Sequence, residues 1–289
     1  MMLFLSVCDA EFVILKTEGV VAYDLVLKGL NQSCNEKNVT LNLKKDLSNE
    51  AQILDQLKNL APSFFILLGD EAADFASRNI KNKDLLYSMV LQAKKYNFNK
   101  HSTLGLDVLI NIDQIFMYLK QINKEYKNIG VIYGIGEGEV LNQYAEEIAK
   151  KENVNIIAKG IKGAQEVVTT INELLPQVQV VLIIPSNVTV APEVVTYIHQ
   201  KALEKQIPVV GLAEVYLQYG ALFTISINPL IVGGALGTAA CLLTKGEVIA
   251  NMRVSNLSYS NVSLNLKVAE LLKLTIPNKM KESAFKTIK

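Results

Sequence analysis

At 289 residues the chain is long enough for one large α/β domain or two lobes with separate cores, and its apolar half and charged fifth are ordinary for a globular protein. A net charge of +1 with no long run of one sign argues against nucleic acid as a partner, which needs phosphate-neutralising Lys and Arg gathered on one surface. Cys8, Cys34 and Cys241 form no CxxC pair and the only histidines are His101 and His199, so no metal site is expected; one disulfide bridge remains possible.

The first residues, MMLFLSVCDA, are apolar and short, with no basic residue before them. They read either as the tail of an incomplete signal segment or as a frayed first strand. On the first reading Leu5-Ser6-Val7-Cys8 stands where a lipoprotein is cleaved and acylated, with a large valine beside the cysteine. From there short apolar runs alternate with longer amphipathic ones. EFVILK predicts a strand, VVAYDLVLKGLNQSCNEK a helix, VTLNLK a strand, and SNEAQILDQLKNL a helix with Ser48 as N-cap. SFFILLG and LLYSMVLQA predict strands, and DEAADFASRNI and DQIFMYLKQINKEYK helices.

The rhythm restarts with strands at NIGVIYG, VNIIAKG, VQVVLIIP and PVVGL, separated by helices VLNQYAEEIAKKEN, AQEVVTTINELL and PEVVTYIHQKALEKQ. Residues 215–244 carry no charge, but Asn228-Pro229 breaks them, so they predict a strand, ALFTISI, and a helix, LIVGGALGTAACLL, rather than a membrane span. That helix is apolar all round, so something must cover it: its own lobe, or a partner such as a second copy docked through 230–243. Two runs of strand–helix units imply two parallel sheets, each with its loops gathered at the carboxyl ends of the strands.

The stretch Gly134-Ile135-Gly136-Glu137-Gly138 follows a strand but falls one residue short of a dinucleotide fingerprint, and its acid would repel a pyrophosphate. It reads as a loop needing positive φ, and no cofactor is implied. Glu18, Asp70, Glu71 and Glu214 sit at strand-to-helix junctions, where acids offset the helix dipole or perform acid–base chemistry. Tyr23, Tyr133 and Tyr216 lie near strand ends, where they line a cleft or pack in the core; Tyr219 reads as core. Ser186 and Asn187 leave a buried strand as small hydrogen-bonding groups, suited to binding and poorly suited to catalysis.

Three segments in order, NIGVIYGIGEGEV, VVLIIPSNVTVAPEVVTYIHQKALEKQIPVVGLAEVYLQYGAL and VSLNLKVAELLKLTIPNKM, are supported by FVILKTEGVVAYDLVLKGL and FFILLGDEAADFA. On these the chain resembles the ABC-transporter substrate-binding proteins of type I periplasmic-binding fold, the group that includes tryptophan- and tyrosine-binding lipoproteins. The resemblance implies two Rossmann-like α/β lobes with parallel sheets and three hinge crossings, near 126–129, 220–224 and 250–262. The lobes would be 1–127 plus 222–252 and 128–221 plus 253–289, with a ligand cleft between them.

Carried over by position, the cleft loops are 17–23, 69–71, 92–94, 134–139, 186–189 and 214–216. The ligand-binding residues implied are Thr17, Glu18, Tyr23, Gly69, Asp70, Gln92, Tyr133, Gly134, Glu137, Ser186, Asn187, Thr189, Glu214 and Tyr216, with no catalytic residue. Amino-acid-binding members carry an Asn-Ser pair in the first loop of the second lobe and Asp-Asn-Thr in the next. Here Glu137 and its neighbours fill the first and Ser186 holds the Asp place, which weakens a zwitterion clamp and favours a less polar ligand. The function implied is extracytoplasmic or periplasmic capture of a small organic molecule, amino-acid-like or less polar, for delivery to an ABC permease without chemistry, with Cys8 as a candidate lipid anchor. The alternatives are a ligand-sensing module for a receptor and a doubly wound enzyme using Asp70 or Glu214.

Overall fold

The apolar runs of the first third form strands β1 (Phe12–Thr17), β2 (Asn38–Leu43), β3 (Phe64–Leu68), β4 (Asp84–Ser88) and β5 (Thr103–Leu106). The computed structural model describes residues 10–90, 93–96, 98, 103–106, 112–247 and 260–289. The five strands are all parallel, in the order β2-β1-β3-β4-β5. β1 and β3 are buried at every residue, as central parallel strands covered on both faces must be. On one face Val13, Leu15, Phe65 and Leu67 pack with Ile53 of α2 (Glu50–Lys58) and Ala72, Phe75 and Ala76 of α3 (Asp70–Asn79). On the other, Phe12 stacks on Phe64 at 4.9 Å and Lys16 reaches Asp24 of α1 (Val21–Ser33) at 3.0 Å.

Two local expectations shift. Asn49, not Ser48, precedes the first turn of α2; its side chain accepts from Lys44 N and donates to the Asn42 carbonyl, tying the helix start to the end of β2. β4 ends at Ser88, because Met89 adopts a left-handed φ of +57°.

The apolar helix becomes α9 (Pro229–Thr244), started by Asn228, whose Oδ1 accepts from Leu230 N and Ile231 N. Its cover is α1. A Cβ on Gly233 would lie 2.0 Å from the Val26 carbonyl oxygen, and one on Gly237 would lie 2.5 Å from that of Leu30. Cys34 and Cys241 are joined as a disulfide at the same sequence offset, so the two helices run parallel and nearly in register. The expectation of a dimer through 230–243 rested on an uncovered helix; Val232, Leu236, Ala239 and Ala240 are instead buried inside this unit. No helix among the described residues is long and apolar enough to cross a membrane.

The second sheet has seven strands in the order β12-β11-β10-β9-β8-β6-β7. β6 (Asn128–Gly134), β7 (Asn155–Ile161), β8 (Val180–Ile183), β9 (Val209–Gly211) and β10 (Phe223–Ile227) are parallel. β11 (Ser260–Asn265) runs antiparallel to β10, with β12 (Lys286–Ile288) parallel beyond it, so this sheet is mixed rather than wholly parallel. Val181 and Ile183 pack with α6 (Val167–Leu174) and α7 (Pro192–Glu204). Tyr118 of α4 (Ile112–Ile122) meets Phe223 edge-on, and Tyr144 of α5 (Glu139–Glu152) donates to Asp113 at the start of α4. Short helices α8 (Val215–Gln218), α10 (Leu266–Leu271) and α11 (Asn278–Glu282) complete the unit.

The chain separates into two compact units: the described residues within Met1–Leu109 and Asn228–Tyr259, and those within Ile110–Ile227 and Ser260–Lys289. The lobes expected at 1–127 plus 222–252 and 128–221 plus 253–289 are corrected at two places. α4 belongs to the second unit because its aromatic face packs on β10, and β10 belongs there because it pairs with β9 and β11. The passage expected near 220–224 is at Ile227-Asn228, and residues 126–129, where another was expected, lie inside the second unit; the remaining divisions, at 109–110 and 259–260, involve residues outside the described set.

Candidate ligand-binding site

At the carboxyl edge of the first sheet, Thr17 ends β1 and its buried hydroxyl donates to Glu71 Oε2 at 2.9 Å. β3 runs into Gly69, the residue before α3, whose φ of +91° disfavours any side chain. Space forbids one as well, since a Cβ would stand 2.2 Å from the Tyr23 hydroxyl. Gly69 N donates to the Ser88 carbonyl, holding β3 and β4 together at their ends. Tyr96 donates from its hydroxyl to Asp70 Oδ1 at 3.2 Å. Burial, then the charges of Glu71 and Asp70, push the Tyr23 hydroxyl well above the usual tyrosine range, so it stays a neutral donor. Burial and Asp70 do the same to Tyr96.

Thr17, Tyr23, Gly69, Asp70 and Glu71 are thus one hydrogen-bonded and charged group, while Glu18 is exposed beside it and bonds through its backbone to Leu43. Gln92 lies outside the described residues. Tyr96 was not anticipated; nothing local marks an aromatic among lysines and asparagines as a partner for an acid 26 residues earlier.

The second sheet presents another edge. Gly134 ends β6 where a Cβ would be 2.3 Å from Ser186 Oγ, so the two loops touch. Glu137 accepts from both the backbone N and the side-chain amide of Asn187 at 2.9 Å, a two-point clasp between the loops after β6 and β8. Glu139 accepts from Gly136 N at 2.6 Å, and that bond lowers its carboxyl pKa. Tyr133 is half-buried, its Cβ beneath Gly138.

Deeper in this edge the groups answer one another. Thr189 Oγ1 accepts from Ser186 N at 2.7 Å, donates to the Ile184 carbonyl at 2.7 Å, and lies 2.9 Å from Ser186 Oγ and 3.2 Å from the Tyr216 hydroxyl. Tyr216 is fully buried over Gly211, where a Cβ would meet its ring at 2.3 Å, and burial raises its hydroxyl pKa. Thr189, Tyr216 and Ser186 therefore shape the loop from within, whereas Asn187 and Glu137 face solvent. Glu214 pairs with Lys286 of β12 at 2.8 Å. Among the described residues no cluster of His, Cys, Asp or Glu is placed to hold a metal ion.

Chemically, each edge offers hydrogen-bonding groups and carboxylates held in place by one another. The sequence family described as ABC transporter substrate binding protein matches residues 15–288. The chain belongs to that family. It is 26% identical over 179 residues to a tyrosine-binding protein of Clostridioides difficile (strain R20291), covering 60% of this chain. The chain matches 51% of that relative's length, about half.

Among solved structures, it is similar to a ligand-free, open substrate binding protein with adhesive properties from Clostridium difficile, at a TM-score of 0.76, 20% identity and coverage of 96% and 99% of the two chains. It is also similar to the ABC domain from Streptococcus pneumonia in complex with L-Trp, at a TM-score of 0.70, 19% identity and coverage of 97% and 100%. These likenesses carry the fold, an α/β arrangement of the type I periplasmic-binding kind. The family and these relatives are binding proteins.

Proposed function

We propose that the chain captures a small amino acid with an aromatic side chain at its carboxyl-edge loops and hands it unchanged to an ABC permease. The observation that carries this reading is the family match over 15–288, with fixed polar groups at the end of both sheets. The names of two relatives, one binding tyrosine and one holding L-Trp, support the ligand class. Ser186 in place of an acid moves the partner of the ligand ammonium to Asp70 or Glu71, whose carboxylates are held by Tyr96 and Thr17. The exposed side chains of Val21 and Ile135, beside the two edges, supply apolar surface for the ring.

Transfer without chemistry fits a family and relatives that are binding proteins. An extracytoplasmic location, with an acyl anchor at Cys8, fits the Cys34–Cys241 bridge, since such bridges persist in oxidising compartments.

The test is a thermal-shift screen of tyrosine, tryptophan and phenylalanine against aspartate, lysine and nucleosides, followed by calorimetry. An aromatic amino acid at about a hundred times its Kd should raise the midpoint by about 5 °C. Asp70→Asn or Glu71→Gln should weaken binding by about tenfold or more, as removal of a charged partner does. A screen in which only nucleosides or no amino acid shifts the midpoint overturns the ligand class.

A further inference from the structure

The charge of the chain is unevenly placed. Residues 266–289 contain six lysines (Lys267, Lys273, Lys279, Lys281, Lys286 and Lys289) and two acids (Glu270 and Glu282), a net +4, whereas the whole chain is +1. The other 265 residues therefore sum to −3. All six lysines are exposed, and among the described residues Lys286 alone is paired, to Glu214.

The same stretch holds two of the three most exposed large apolar side chains among the described residues, Phe285 at 61% and Leu271 at 53%. Val268, Ala269, Leu272, Ile276 and Met280 are buried beneath it, so this is a seated surface and not a loose tail. It is folded as α10, α11 and β12 along the free edge of the second sheet. Neither Phe285 nor Leu271 is used by that packing.

We infer that this basic edge, with Phe285 and Leu271 projecting from it, docks on an anionic lipid bilayer. Lysines gain from the negative surface potential while an aromatic and an aliphatic side chain enter the headgroup boundary, the combination by which peripheral proteins lie on membranes. Charge complementarity selects the occupant: a neutral bilayer offers the lysines nothing, and a wholly apolar partner would have to desolvate them. Lys286 is paired to Glu214 at the carboxyl edge of the same unit, whereas the other five lysines form no ion pair among the described residues; the inference does not rest on the ligand proposed above.

The experiment is co-sedimentation of the full chain, produced without acylation, with vesicles of phosphatidylglycerol and phosphatidylcholine in about equal parts, against pure phosphatidylcholine. Binding is expected on the anionic vesicles only and should fall sharply at about 0.5 M salt, where the screening length shrinks to about 4 Å. Lys279→Gln with Lys281→Gln should weaken it by about 30-fold, at the usual gain of roughly one lysine's attraction each. Phe285→Ser should weaken it further without altering the salt dependence. A thermal-melt comparison shows whether each variant is folded, and Lys267→Gln with Lys289→Gln provides a second pair should the first not be. No binding, equal binding to both vesicles, or binding unchanged in folded variants overturns the inference. A loss of amino-acid binding in the screen above has no bearing on it.

Discussion

His199 sits inside α7 at 4% exposure, its Nδ1 2.8 Å from the Val195 carbonyl and its Nε2 without a partner among the described residues. Burial lowers its pKa to about 4, against a pull upward from the Val195 bond. The unfolded chain binds a proton near the ordinary histidine value of 6.5 and the folded chain does not until about 4. Stability is therefore full above pH 6.5 and drains as pH falls through that window, by about 2 kcal/mol between pH 7 and 5. Urea denaturation at the two pH values checks it: His199→Gln should remove most of this pH leg, and an unchanged slope would refute the assignment.

Gly69 makes the opposite kind of demand. With φ at +91° and Tyr23 occupying the space of a Cβ, Gly69→Ala should cost about 2 kcal/mol in denaturant unfolding and displace Tyr23 from the Asp70–Glu71 group. Both residues are visible in the sequence as a glycine and a histidine. Neither the buried surroundings of His199 nor the tyrosine over Gly69 has any local signature.

At the scale of elements, α1 and α9 form the best-defined pairing outside the sheets. Helix α9 was legible from Asn228-Pro229 to Gly246, because a proline in the first turn, a capping asparagine and a closing glycine are local signals. Its cover was not legible, since α1 lies some two hundred residues earlier and is recognised only by where glycines let backbones touch. Gly233→Leu should destabilise the first unit, as its Cβ would strike the Val26 carbonyl and not a side chain that yields. Reduction of Cys34–Cys241, closing a loop of 207 residues in separation, should cost about 5 kcal/mol. Thermal denaturation with and without dithiothreitol checks this: the Cys34→Ser, Cys241→Ser double variant should melt at the reduced value and ignore the reagent.

For the molecule as a whole, alternating strands and amphipathic helices were enough to give two α/β units, because periods of two and 3.6 residues are written in the chain itself. They could not give the unit boundaries. α4 and β10 follow the side of the chain whose aromatic faces they pack, Tyr118 on Phe223, which is a contact over a hundred residues in separation. The ligand positions divide likewise. Thr17, Tyr23, Gly69 and Asp70 converge with Glu71, and Glu137 clasps Asn187, whereas Thr189 and Tyr216 spend their hydroxyls on the interior of a loop and Glu214 on Lys286. Calorimetry should accordingly find Asp70→Asn more damaging to ligand affinity than Glu214→Gln, which should alter affinity by less than about threefold.

By itself the sequence determined the order and type of most elements, the caps of α9, the family and the edges on which the loops gather. Each of these depends on residues within one turn, one strand or one recognisable segment. Only the tertiary structure decided the antiparallel β11, the register of α1 on α9, the disulfide partners, and which polar side chains are already bonded to one another. Those rest on groups brought together from distant parts of the chain, where burial and hydrogen-bond geometry, not local pattern, set the free energy.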